Sequence, residues 1–154
     1  MCYNIKMVKE IPLSEIILRK YEKPYNTDKR EIVRKICLSL GLLQEGDGRD
    51  VIVDILLVLI EAGKERKHLS SDEIKVRVEH LRKKYNLEIK GLAESNIRRQ
   101  LKRLRDMMFI DKNNNLYNMS EFSSMKEIFE NKIEKFIIPQ TIGRIKEYLE
   151  ILDK

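Results

Sequence analysis

The chain reads as a mainly α-helical fold carrying one small β-hairpin, and three observations lead there. Apolar residues recur at helical spacing through most of its 154 residues. Glycine and proline gather at few places, above all in the run GLLQEGDGRD from Gly41 to Asp50, which holds three of the six glycines. Only residues 108–119 break the helical pattern, with two short apolar runs around an Asn-rich turn.

Composition narrows the classes open to such a chain. One ordinary domain or two very small ones fit the length, and a core burying roughly two thirds of the unfolded surface is possible. Charged residues make up 36% of the chain, against about 25% in typical domains, and Lys, Glu and Ile are plentiful, as on thermophile surfaces. The distribution says more than the total. Residues 64–106 hold 14 Lys or Arg and 7 Asp or Glu, whereas the remainder holds 17 and 18, so the whole net charge of +6 sits in one segment. A localised basic excess favours a polyanionic partner through attraction and counterion release.

Cys2 and Cys37 form no CxxC pair, and His68 and His80 have no acidic or Cys neighbours at ligand spacing, so the expectation is a reducing compartment and no metal. The first ten residues lack a signal-peptide apolar run, and the longest apolar stretch, Val51 to Ile60, is short and interrupted by Asp54. A cytoplasmic protein with no membrane span is expected. No Gly-rich phosphate loop, nucleophile elbow or paired acid and base is visible, so neither catalysis nor a cofactor is assigned.

The elements follow in order. Pro12 to Tyr21 reads as a short helix with Leu13, Ile16 and Ile17 inward, stopped by Pro24. Asp28 with Glu31 signals a second helix, carried by Ile32, Val33, Ile36, Cys37 and Leu40 as far as Gly41. A new unit begins near Arg49, with Asp47 or Gly48 able to cap it and Asp50 also cap-like. The helix from Asp50 to Ala62 is apolar nearly all round and should be the core helix, ended by Gly63. Leu69 is placed to pair as a short strand with the later hairpin. Ser70 and Glu73 form a capping box for the next helix, whose inner positions are Ile74, Val78, Leu81 and Tyr85, with Lys75, Arg77, Arg82 and Lys83 outward.

The stretch from Gly91 to Met119 organises the rest. Ile97, Leu101, Leu104 and Met108 make one helical stripe, and the opposite face gathers Glu94, Ser95, Arg98, Arg99, Lys102, Arg103 and Asp106, flanked by Asn96 and Gln100. Strands are expected over 108–111 and 116–119, joined by Lys112, Asn113, Asn114 and Asn115. Tyr117 could stack on a base but more naturally packs half-buried. Behind it, Ser124 and Glu127 open another helix, Pro139 breaks it, and a final helix runs from about Gln140 to Leu152.

The order helix, short strand, helix, helix, strand, turn, strand over residues 49–120, with an SNIRRQLKRL helix leading to FID, resembles the winged helix-turn-helix family, particularly small archaeal and bacterial transcription regulators. The resemblance implies a mainly α winged helix-turn-helix domain (49–120) between an N-terminal helical extension (1–48) and C-terminal helices (121–154). It also implies duplex DNA as partner, with the helix over 93–107 in the major groove. Ser95, Asn96, Arg98 and Arg99 would then read base edges, since Arg suits guanine and Asn suits adenine. Lys102, Arg103, Lys112 and Asn114, with Lys67 and Lys75 beside them, would hold phosphates. The competing reading of these cations is a solvated helix face, and the runner-up function is a winged-helix adaptor binding another protein within a replication, transcription or chromosome assembly.

Met125, Ile128, Phe129, Ile133, Phe136, Ile142, Ile145 and Leu149 give the last 30 residues more apolar surface than a solitary tail can hide. Pairing of two subunits in a homodimer is the favoured reading, and folding back onto the N-terminal helices to complete a monomer core is the other. The residues name neither a small-molecule effector nor a target sequence.

Overall fold

The computed structural model describes residues 10–154, and the N-terminal stretch with Cys2 lies outside them. Its elements are α1 (Lys29–Ser39), α2 (Val51–Lys64), β1 (Leu69–Ser70), α3 (Ser71–Lys84), α4 (Glu94–Asp106), β2 (Ile110–Asn113), β3 (Leu116–Met119), α5 (Met125–Ile128) and α6 (Ile138–Leu152). The chain is thus mainly helical with one small antiparallel sheet, in the order β1-β3-β2.

Helix α2 is the centre of the molecule because its sequence is apolar nearly all round, and only Glu61 and Lys64 near its end are exposed. Eleven of its residues are buried, and α1, α3, α4 and β3 all pack on it. Val33 and Cys37 of α1, Ile74 and Val78 of α3, and Ile97, Leu101 and Leu104 of α4 meet it in one continuous core. Each large side chain so buried contributes about 1.5–3 kcal/mol. Gly63 does not end α2, which continues to Lys64. A Cβ on Gly63 would lie 3.2 Å from Cγ of Met119, so the residue is small because β3 crosses the helix closely, and one glycine inside a well-packed helix is tolerated.

The hairpin is tighter than its asparagine run suggests. Ile110 pairs with Met119 and Asn113 with Leu116, leaving a two-residue turn in which Asn114 and Asn115 have φ of 51° and 63°. Positive φ at both central positions matches the right-handed twist of the strands, and Asn tolerates it. Met108 is not on the helical stripe: α4 stops at Asp106, Met108 takes φ 65°, and Met107 and Phe109 are buried instead. The first strand accordingly starts at Ile110. Leu69 pairs with Tyr117 across β1 and β3, and the Ser70–Glu73 capping box forms at the start of α3.

Two further expectations about helices are overturned. No helix forms over residues 12–21. Instead the segment lies along the end of α1: the Arg19 amide donates to the Ser39 carbonyl at 2.8 Å, its guanidinium to Leu38 and Gln44, and Ile17 packs against Gly41. An isolated ten-residue helix is marginal, whereas an extended segment satisfies the orphan carbonyls at the end of α1. Nor does Pro139 break the last helix. Helix α5, a π-helical stretch over Phe129–Ile137 and α6 follow one another without a non-helical residue at either junction. Proline's ring and missing N–H disturb the preceding turn, and the wider π turns lie directly before it, where such bulges accommodate the disturbance.

Below this, three helices are tied by ions. Asp54, fully buried on α2, accepts from Arg30 of α1 (Nε to Oδ1, 2.8 Å) and from Arg82 of α3 (Nη1 to Oδ2, 2.6 Å). Asp50 accepts from the same two arginines at 2.9 Å each. The expectation that Arg82 faces outward is therefore wrong, since it is 4% exposed. An ionised aspartate in an apolar helix is tolerable only with its charge compensated, and Arg82 sits at the edge of the inner face of α3, within reach. Asp50 serves this network rather than capping: it occupies the N-cap of α2 but makes no side-chain cap bond. Burial alone would push its carboxyl up, yet hydrogen bonds from Arg30 and Arg82 hold it below the ordinary carboxylate range.

Candidate nucleic-acid interface

Helix α4 places its side chains by simple periodicity. With Ile97, Leu101 and Leu104 against α2 and α3, Ser95, Arg98, Arg99, Lys102, Arg105 and Asp106 are exposed. Its N-cap, Ala93, supplies no side-chain acceptor. The local fold is held by Asn96, whose Nδ2 donates to the Gly91 carbonyl at 2.8 Å. Gly91 itself has φ 75°, and a Cβ there would stand 3.2 Å from both Asn96 and Val51, so glycine is required at this turn.

The residues expected to read bases do not stand alike. Asn96 is half-buried, and its Oδ1 accepts from Arg99 at 2.7 Å and from Gln100 at 3.1 Å. Arg98 pairs with Glu94 at 2.6 Å and Lys102 with Asp106 at 2.9 Å, all four exposed. Such surface i,i+4 pairs are worth a few tenths of a kcal/mol, so a stronger anion displaces them readily. Ser95 and Arg99 remain outward with no acidic partner among the described residues.

Among the residues expected on phosphates, Arg103 is half-buried and turned toward the chain's own groups. Its guanidinium donates to Gln100 at 2.8 Å and to the Leu42 carbonyl at 2.8 Å, tying α4 to the α1–α2 loop. Lys75 is half-buried, and Lys67 pairs with exposed Glu65. Lys112 is exposed, 5.8 Å from the ring centre of Tyr117, and Asn114 sits in the hairpin turn. Tyr117 is 5% exposed, so its ring belongs to the core and is not available for stacking. His68 lies at the surface, bonded to Asn118 at 3.2 Å and edge-on to Phe122.

Three exposed cations were not picked out from the sequence for this face: Arg49, Lys90 and Arg105. Arg105 follows from the 3.6-residue period alone, as it lies two turns beyond Arg98. Arg49 and Lys90 sit in loops, and only the tertiary fold brings them beside Asn96 and Arg99 around one cleft.

The apolar residues expected at a subunit interface divide. Ile128 and Ile133 are consumed by the chain's own core, and Met125 and Phe129 pack partly against it. Phe136, Ile142, Ile145 and Leu149 stay 45–55% exposed, and α6 has no buried residue.

No group of three or more His, Cys, Asp or Glu among the described residues is arranged to hold a metal ion. No helix among them is long and apolar enough to cross a membrane. Comparison with protein-family models, with characterised proteins and with solved structures returned no significant match to this chain.

Proposed function

We propose that this protein binds duplex DNA as a winged helix-turn-helix regulator, with α4 as recognition helix in the major groove and the β2–β3 hairpin as wing. The observation carrying this reading is the placement of α4: its apolar stripe is wholly used by the core, so Ser95, Arg98, Arg99, Lys102 and Arg105 are presented outward, and the hairpin with Lys112 and Asn114 follows directly. The arrangement provides direct readout through Ser95, Arg98 and Arg99 and positioning through Lys102, Lys112 and Asn114. Asn96 reads a base only by exchanging its internal bonds for the new ones. Two copies paired through α6 supply the second half-site that a regulator needs to discriminate its target.

Enrichment of bound fragments from random duplex DNA, with an unrelated competitor present, tests this. A palindromic motif is the expected result, with affinity falling steeply as salt rises, by about 0.9 in log–log slope for each phosphate neutralised. Absence of binding at low salt overturns it.

A second reading has its own observation. The Glu94–Arg98 and Lys102–Asp106 pairs lessen the basic field of α4, and α6 exposes an apolar stripe, as suits a winged-helix adaptor inside a larger assembly. The same selection separates the two, because an adaptor enriches no motif.

A further inference from the structure

Between the α1–α2 loop, the start of α2, the α3–α4 loop and the flank of α4 lies a cleft of about 620 Å³, within the range of small-molecule sites. Its chemistry is lopsided. Arg49, Arg82, Lys90, Arg99 and Arg103 line it against two carboxylates, Asp47 and Asp50. Four of these seven are already engaged: Arg82 and Asp50 with each other, Arg103 with Gln100 and the Leu42 carbonyl, and Asp47 with the Arg49 amide at 2.9 Å. Three cations are left without a buried counter-charge. The Arg49 side chain makes no hydrogen bond or ion pair among the described residues, Arg99 bonds only to the neutral Asn96, and Lys90 meets only exposed Glu88.

A further contribution comes from the backbone. Because Asp50 turns its carboxylate to Arg30 and Arg82, the N-terminus of α2 that borders the cleft carries no side-chain cap. The Val53 amide turns back to the Asp50 carbonyl at 3.0 Å, and the Val51 and Ile52 amides keep their partial positive charge for whatever lies in front of them. Gly48, also on the rim, has nothing within 4 Å of the Cβ position, leaving the approach open.

We propose that this cleft binds a small molecule carrying a di- or triphosphate group, held by Arg49, Arg99 and Lys90 and by the uncapped start of α2. Guanidinium forks match phosphate oxygens two at a time, and cations spread over three elements suit a chain of phosphates better than one carboxylate. The consequence for DNA rests on the reading of α4 given above: a ligand that captures Arg99 takes it from the outward face and breaks its bond to Asn96. Ligand and duplex then compete, and each weakens the other by the same factor.

Calorimetric titration of the full chain with tripolyphosphate, at about 0.15 M salt so that loose surface attraction is screened, tests the site without any DNA. Saturable binding of one tripolyphosphate per chain is expected, roughly tenfold weaker in Arg49→Ala and in Arg99→Ala, as for loss of a charge-assisted bond. Lys126→Ala, on the far α5 and 85% exposed in its side chain, leaves it unchanged. Circular dichroism of each variant confirms the fold. No saturation in the wild type, or equal weakening by Lys126→Ala, overturns the proposal. A parallel titration with random duplex separates the two readings. Tripolyphosphate binding without duplex binding upholds the cleft and sinks the DNA reading. Duplex binding weakened by Arg49→Ala, with no tripolyphosphate binding, means that the cleft receives a backbone phosphate, and overturns the small-molecule site.

Discussion

Arg82 of α3 reaches Asp54 of α2 at 2.6 Å, with both side chains almost wholly removed from solvent. Since Arg30 of α1 meets the same carboxylate from the other side, one aspartate fixes the relative placement of three helices. A buried network of this kind adds little over a well-packed apolar substitute, but losing one member leaves the others uncompensated. Asp54→Ala should therefore lower stability by about 3–5 kcal/mol, whereas the exposed pair-breaking change Glu94→Ala should lie within about 0.5 kcal/mol of wild type. Urea unfolding followed by circular dichroism measures both. A small loss for Asp54→Ala would show that the arginines escape to solvent.

The acid limb of stability follows from Asp50. Its carboxyl is raised by burial but pulled lower still by Arg30 and Arg82, so the folded value lies below the ordinary one. A depressed acid stabilises the fold above its unfolded value of about 3.9 and loses that stabilisation as pH falls through the folded value. Wild-type stability should decline between about pH 5 and pH 2, and Asp50→Asn should flatten the decline while lowering the neutral plateau. Unfolding midpoints across that window give the answer.

Two basic positions of α4, Arg99 and Lys102, should separate by DNA sequence. Arg99→Ala should cost about 1–3 kcal/mol on a selected site and much less on random duplex, while Lys102→Ala weakens both alike. Fluorescence anisotropy with the two duplexes is sufficient, and equal losses throughout would remove base readout from Arg99.

If subunits pair as proposed, the exposed apolar residues left for the contact are Phe136 and those along α6. Because Ile128, Ile133 and Ile137 are in the core, removal of everything after residue 121 should expose that core, whereas removal of residues 141–154 deletes only exposed apolar surface. Along α6, Ile138, Ile142, Ile145, Leu149 and Leu152 alternate in steps of four and three, the spacing of a coiled-coil seam. Sedimentation equilibrium at tens of micromolar should find a dimer for the full chain and a folded monomer for the shorter truncation. A full-length monomer refutes it.

Cys37 has no exposed surface, and burial pushes its thiol up to about 12. With Cys2 replaced by serine, a thiol reagent at neutral pH should react only as fast as the protein opens, and at once in denaturant. Rapid reaction of the native chain would place Cys37 nearer the surface.

Much of this was legible in the residues alone, and for local reasons. Ser70 with Glu73 and Asp28 with Glu31 cap helices through bonds three residues long. The stripe Ile97, Leu101, Leu104 and the asparagine turn depend only on backbone period and φ preference, and the nearly all-apolar α2 had nowhere to lie but the centre. Interactions between distant segments were decided by the tertiary fold. Asp54 announced that cations must come to it, since a carboxylate in an apolar helix needs compensation, but nothing local could say that Arg30 and Arg82, 24 and 28 residues away, would be the ones. Residues 12–21 carried a weak helical period and were claimed instead by the open carbonyls of α1. Arg103 looked like its neighbours on α4 until the α1–α2 loop came within its reach. Periodicity states which face of a helix is buried, and only the packed chain determines which polar groups are drawn into that burial and which are left to meet a partner.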